Sequence, residues 1–317
     1  MKQDRFVQTH QPVWERFEAG LDAPNTTSEN LPQLYRTICQ HLAIAEKRGY
    51  SLALVERLHA LCVRGHQRIY VRRTRIGRAV GRYLMVDFPR RVRAEWRVVF
   101  LAALMLVGSG LIMGWVVAAD PEQIYKVLSP GQVVTMEVMY DPEAVARWGR
   151  ERESEDDFAM FGFYLRNNTS IGFRTFAGGL LFGLGTAFFL LFNGISIGAT
   201  AGYLSTKSAA IPFWSFVSGH SAPEITAIVL SGAAGLRLGW SLLAPGRRRR
   251  VDALRHAADR ALLLIYGAAL LFLVAAIVEA YWSSLVGIEP IVKWTFGIAG
   301  WVLLWSYLLL AGRGGGR

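Results

Sequence analysis

From Val98 to Ala119 the chain runs for 22 residues without a charged side chain, and this run limits what it can fold into more than any other feature. At 1.5 Å per helical residue it extends about 33 Å, enough to cross a hydrocarbon core about 30 Å thick. Other apolar runs of similar length follow. Inside lipid no water can satisfy a backbone N–H or C=O, so only helices and closed barrels can cross. Barrel strands alternate apolar and polar residues over about ten positions, and these runs do not. The sequence therefore specifies an all-α, polytopic helical membrane protein.

Six crossings are expected. Val98 to Ala119 is the first, Ile171 to Phe192 the second, and Pro223 to Leu243, Ala261 to Trp282 and Trp294 to Ala311 are the last three. Ile195 to Gly219 is weaker: Lys207, Pro212 and many small residues allow either a broken span or a re-entrant segment. Charge orients the chain. Residues 1–97 carry 18 Lys+Arg against 9 Asp+Glu, and Arg247 to Arg250 are four arginines in a row. Residues 120–168 carry 10 acidic and 5 basic side chains. Positive loops stay cytoplasmic, so both termini are expected inside and an outer loop at 120–170 outside; the weak segment must then cross. This gives a basic cytoplasmic helical domain at 1–97 and a transmembrane domain at 98–317.

The cytoplasmic domain shows helical recurrence of Leu34, Ile38, Leu42 and Ala45, and again of Leu54, Leu58 and Leu61. Asn30 reads as a helix start and Gly49 as a stop. Of its basic residues, 11 fall between Arg64 and Arg97, next to the first span. Membrane lipid is the expected partner for that charge, and no base-reading fold accompanies it, so nucleic acid is not expected. Met1 to Gly20 has no apolar h-region, so no cleaved signal peptide is expected. Cys39 and Cys62 lack metal-ligand spacing and are given no role.

Small residues recur four apart as Gly179/Gly183, Gly194/Gly198/Gly202 and Gly235/Gly239, beside Asn193. Such stripes let helix backbones approach closely in lipid, and the expected use is packing within one chain. Trp96, Trp115, Trp240, Trp282 and Trp294 fall near span ends, where interfacial tryptophans sit.

An ionisable group in a span costs at least about 2.5 kcal/mol at mid-bilayer, so each calls for a reason. Arg174, Glu224 and Glu279 are expected at the outer level with His220, near Arg166, Asn167 and Asn168. Three readings compete for this polar cluster: an Arg174 ion pair with Glu224 or Glu279 that locks register, a transport path, or a metal-assisted hydrolase. His220 and Glu224 have helical i, i+4 spacing, but no full HExxH is present and no metal or cofactor is expected. The stretch Ser221-Ala-Pro-Glu224 also reads as a helix start, with Ser221 and Glu224 forming a capping box. The chain contains no nucleotide-binding glycine loop, serine-hydrolase elbow or paired CxxC, and a non-enzymatic reading leads.

The chain resembles the stage II sporulation protein M family of integral membrane proteins. The resemblance rests on Arg166-Asn167-Asn168, Phe176-Ala177-Gly178-Gly179, Gly183-Leu184-Gly185-Thr186, Asn193-Gly194, Gly219-His220, Glu224, Gly232 to Gly239 and Ile277-Val278-Glu279-Ala280. Trp14 to Glu18, Leu34-Tyr35-Arg36, His66 to Tyr70 and Phe88-Pro89 are similar to the longer members of bacteria that do not sporulate. What the resemblance implies is a bacterial inner-membrane scaffold that recruits other membrane or envelope proteins and is linked to envelope remodelling. The partners it implies are a peptidoglycan hydrolase or an AAA-type ATPase.

Overall fold

A computed structural model describes residues 2–22, 31–69, 76–145 and 154–314; the helix start expected at Asn30 and the motif residue Tyr70 lie outside them. The chain divides into two compact units, residues 1–79 and 80–317. No β-strand occurs among the described residues.

The first unit holds α1 (Gln3–Asp22), α2 (Leu31–Lys47) and α3 (Leu52–Ile69), followed by the short α4 (Ile76–Arg82) that runs into the second unit. The apolar recurrence noted in the sequence becomes one core: Phe6, Trp14, Phe17, Ile38, Ala45, Leu54, Leu58 and Leu61 are all buried. Gly49 ends α2 in the left-handed region at φ +60°, and Tyr50 N–H reaches back to the Ala45 carbonyl at 3.1 Å. One polar pair is enclosed: the Trp14 indole N–H donates to His41 Nδ1 at 3.0 Å. Burial, and then the neighbouring His10, lower the His41 pKa. Cys39 and Cys62 lie with their sulfurs 3.6 Å apart, and burial pushes the Cys62 thiol up to about 12, which leaves it unreactive near neutrality.

In the second unit a π turn, Tyr83–Asp87, leads to α5 (Phe88–Ala94). Among the described residues five helices are long and apolar enough to cross a membrane: α6 (Trp96–Ala119), α9 (Leu184–Ser205), α10 (Ala210–Leu243), α11 (Arg250–Ser283) and α12 (Pro290–Leu310). Between α6 and α9 come a 3-10 turn (Pro121–Lys126), α7 (Pro130–Met139) with a Ser129/Gln132 capping box, and α8 (Ser154–Ala177). The α8 helix is not among these five but packs beside them. Its Asn168 lies against Glu279 of α11, and its far end reaches Gly235 of α10. The two ends of this unit differ in charge. Residues 80–97, the α10–α11 connection and the chain end form a basic end. There Arg90 donates to the Gly312 carbonyl at 2.6 Å and Arg93 to the carbonyls of Leu308 and Ala311. The segment from Asp120 to α7 and the α9–α10 and α11–α12 connections form the opposite, acidic end.

Two expected boundaries are corrected. Ile171 to Phe192 is not one helix. It holds about the last two turns of α8, a reversal at residues 178–183, and the start of α9. Gly183 (φ +86°) and Phe182 (φ +56°) supply the left-handed backbone for the turn. The reversal can lie among membrane helices because its polar groups are satisfied. Gly183 N–H bonds the Gly179 carbonyl at 3.0 Å, and Thr186 Oγ1 donates to the Thr175 carbonyl at 2.7 Å. Ile195 to Gly219 is likewise neither one span nor re-entrant: it completes α9, turns at 206–209 and opens α10. Hydropathy conceals the first turn, because glycine counts as apolar yet is the residue that lets a backbone reverse; the second, at residues 206–209, holds no glycine and falls on the polar Thr206, Lys207 and Ser208.

Two-thirds of the apolar stretch of α10 is buried, against 17–39% in the other four long helices, so α10 is the axis of the unit. Glycine sets how close its neighbours come. A Cβ on Gly179 would overlap the backbone of Gly235, and one on Gly239 would overlap that of Gly183. On α9, Gly194, Gly198 and Gly202 pack against Leu106, Ser109, Gly110 and Gly114 of α6. The stripe therefore joins helices of one chain. Of the five tryptophans, Trp96, Trp115 and Trp240 are exposed near helix ends, while Trp282 and Trp294 bury indole N–H groups that have no partner.

Replacing Gly198 with Val should abolish stable accumulation, because the obstruction is the Gly110 backbone and no side chain can swing aside; Gly131→Ala, with nothing within 4 Å, should be tolerated. Membrane-fraction immunoblots and size-exclusion profiles would compare the two. In the first unit, the lowered His41 pKa means the unfolded state binds the proton more readily. Stability is full above the ordinary value of about 6.5 and falls as pH drops below it, by at most about 1.4 kcal/mol per pH unit. Hydrogen exchange over α1 and α2 at pH 7.5 and 5.5 would show the loss, and His41→Gln, which keeps an acceptor for Trp14, should flatten it.

Candidate functional site

The stretch Ser218 to Ala227 lies inside α10 and does not open it. The expected capping box is absent: Ser221 Oγ donates to the Ser218 carbonyl at 3.1 Å and accepts the Trp301 indole N–H at 3.0 Å. Pro223, in mid-helix, has no N–H for the carbonyl four residues back, that of Gly219. At the same level α11 comes close, since a Cβ on Gly219 would stand 2.9 Å from Ser283 Oγ and 3.1 Å from Trp282. Here α11 widens into a π turn over Glu279–Ser283, a rare geometry concentrated at functional sites.

These features bring His220, Glu224 and Glu279 together from two helices, with ligand-type atoms from the three all within 4.8 Å of one another. His220 Nδ1 is 3.0 Å from Ser283 Oγ, and Nε2 faces the Glu224 carboxylate at 3.6 Å, beyond hydrogen-bond reach. The third wall is α8, where Asn168 Nδ2 donates to Glu279 Oε2 at 3.1 Å and Asn168 Oδ1 accepts from Asn167 Nδ2 at 3.1 Å. The cluster is largely buried: His220 is 4% exposed, Glu279 8% and Asn168 2%, while the Glu224 side chain keeps 19% of its surface exposed. Aromatic rings cover it toward the acidic end, with Phe216 5.2 Å from the His220 ring and Tyr140 6.0 Å from Phe216. Burial raises the pKa of the Tyr140 phenol. The cluster therefore holds two carboxylates and one imidazole in a largely buried setting, where a proton or a cation is bound more strongly than in water.

Asn168 joins this group, and Arg166, Asn167 and Arg174 do not enter it. Arg174 was expected to pair with Glu224 or Glu279, and it pairs with neither. It is exposed, in the last turn of α8, and lines an open cleft of about 350 Å³ with Arg166, Thr169, Ser170 and Phe173. Because α8 starts well before Ile171, Arg174 lies about 9 Å further along than Asn168 and on another face. Asn168, Gly172 and Thr175 make the buried stripe. A cation at a helix C-terminus is favoured by the helix dipole, which accounts for Arg174 without an ion pair.

Five contributing residues were not singled out in the sequence. Ser283 repeats after Glu279 the four-residue spacing of His220 and Glu224. Lys293, 6% exposed, donates to the carbonyls of Ser283 and Leu285 at 2.8 and 2.6 Å and so ties the end of α11. Gly110 and Gly114 mirror the spacing of the α9 stripe. Glu95, at the basic end, bridges Arg91 (3.3 Å) and Arg237 (3.5 Å), which explains the charge inside α10. Close by, Arg237, Trp240, Arg248, His256 and Arg260 line a cleft of about 330 Å³.

Five membrane-length helices with α10 as their axis, close glycine contacts and a buried polar cluster toward one end define a polytopic α-helical membrane protein. The model of the family described as stage II sporulation protein M matches residues 102–284, more than half of the chain, and the chain belongs to that family. A second model, a domain of unknown function (DUF8413), matches residues 4–71. No curated protein and no solved structure matches the chain.

Replacing Asn168 with Leu leaves the Glu279 carboxylate without its donor and should cost about 1–3 kcal/mol, whereas Arg174→Gln should stay within about 0.5 kcal/mol. Unfolding by SDS in mixed micelles would measure both, and equal losses would restore a structural role for Arg174.

Proposed function

We propose that the protein is a membrane-embedded scaffold of the bacterial inner membrane that recruits other envelope proteins. The observation that carries this reading is the presence of two independently cored modules in one chain. A helical unit over residues 1–79 with its own family match precedes a membrane unit matched by a different family.

In this reading the basic end faces the cytoplasm, as the arginines of residues 80–97 and 247–250 favour, and the acidic end with α7 faces outward. The unit of residues 1–79 then docks a cytoplasmic partner, for which an AAA-type ATPase is the leading candidate. The outer segment meets a wall-directed enzyme such as a peptidoglycan hydrolase. The cleft lined by Arg237, Arg248 and Arg260 sits where anionic head groups of the inner leaflet lie, so membrane lipid is the partner at that point.

Crosslinking in native membranes, with the full chain compared against a variant lacking residues 2–69, tests the proposal. Specific recovery of an ATPase or wall hydrolase with the full chain, lost for the cytoplasmic partner on deletion, is the expected outcome. An identical set of proteins from both, or none specific to either, would refute it.

A further inference from the structure

We propose that His220, Glu224 and Glu279 form a binding site for one first-row divalent cation of the zinc type, buried toward the acidic end of the membrane unit. The donor set is a neutral imidazole with two carboxylates, a combination suited to zinc, manganese or ferrous iron. The sequence expectation was no metal, although a metal-assisted hydrolase using these residues was one of its three readings; the structure brings Glu279, 55 residues after Glu224 on α11, level with the other two.

Three observations converge. The first is geometry: the donor atoms of all three residues lie within 4.8 Å of one another. Ligands at bond lengths near 2.0–2.2 Å stand about 3–3.5 Å apart, so binding requires an inward movement of about 1 Å by flexible side chains. The second is the state of the histidine. The ring is 96% buried, its Nδ1 is engaged by Ser283, and its Nε2 points at Glu224 with no hydrogen bond of its own. Metal-bound histidines are held in this way, with the other ring nitrogen bonded so that the ligating one is aimed. Asn168 does the same for Glu279, orienting one carboxylate oxygen and leaving the other without a hydrogen bond.

The third is charge. Among the described residues no Lys or Arg lies within 4 Å of either carboxylate, and the nearby Lys293 ammonium is engaged by the carbonyls of Ser283 and Leu285. Two ionised carboxylates cannot stay unneutralised where water is excluded. One divalent cation with a neutral imidazole cancels their charge, with the carboxyl protons released to solvent on binding. The π turn at Glu279–Ser283 and the proline between His220 and Glu224 are the backbone devices that place these groups opposite one another.

The test uses the full chain in lipid nanodiscs, purified without a histidine tag, stripped with chelator and then titrated separately with Zn²⁺ and Co²⁺. About one equivalent of Zn²⁺ per chain is expected, with visible Co²⁺ absorption that Zn²⁺ displaces and a rise in thermal stability on metal addition. Glu224→Gln and His220→Gln should each retain less than a tenth of the bound metal. Ser283→Ala should bind about 10–100-fold more weakly. His59→Gln, at an exposed histidine of the first unit, should bind as the native chain does. Uptake below a tenth of an equivalent with no stabilisation by either ion would overturn the site and leave two protonated carboxyls in its place. Uptake unchanged in the Glu224 and His220 variants would also overturn it. If a variant does not fold, the native-chain titration decides alone. A negative result here leaves the scaffold reading standing, since partner recovery does not depend on metal.

Discussion

The membrane unit depends on backbone-to-backbone approach at glycine. Lipid tails are as apolar as leucine, so the hydrophobic effect gives these helices little reason to prefer each other to lipid, and dispersion at short range must do the work. Gly235 and Gly239 of α10 meet Gly179 and Gly183 at the α8–α9 reversal, and Gly194, Gly198 and Gly202 of α9 meet Gly110 and Gly114 of α6. These contacts fix the depth of α8 and α9 beside α10. With that depth set, Asn168 falls level with Glu279 and the polar cluster can exist.

Polar groups finish what the glycines begin. At the basic end Glu95 holds Arg91 and Arg237, and arginines from α5 reach the last carbonyls of α12, so both ends of the unit are tied together. Toward the acidic end the cluster of His220, Glu224, Glu279, Asn168 and Ser283 joins three helices. The two ends differ in kind. The basic one is an ion-pair network with access to solvent or lipid head groups. The other is largely buried, and its nearby ammonium, Lys293, is engaged by the carbonyls of Ser283 and Leu285 and forms no ion pair with either carboxylate, which is why a bound ion is the natural complement to it.

Family membership and the all-helical membrane architecture were legible because both rest on local pattern: apolar length, charge between runs and small residues four apart. The cluster was half legible. His220, Glu224, Glu279 and Asn168 were each marked as polar groups where polarity is costly, and the structure brings those four together. Arg174 was grouped with them because depth was counted from the wrong helix start. The glycines at 178, 179 and 183 read as part of a span, although they are the turn. The sequence pattern has no term separating a glycine that packs a helix from one that ends it.

By itself, the sequence determined that this chain lives in a membrane as helices, which end of it is basic, and which side chains had to find partners or carry a cost. Those facts follow from hydrogen-bond satisfaction and desolvation, which act residue by residue. Only the tertiary structure decided who the partners are. Arg237 goes to Glu95 and not to a carboxylate of the cluster, Arg174 faces outward, and His220 is aimed by a serine on another helix. Pairing depends on axial depth and helix phase together. A reversal a few residues from its expected place changes both, and no local pattern records where two helices that far apart in sequence come level.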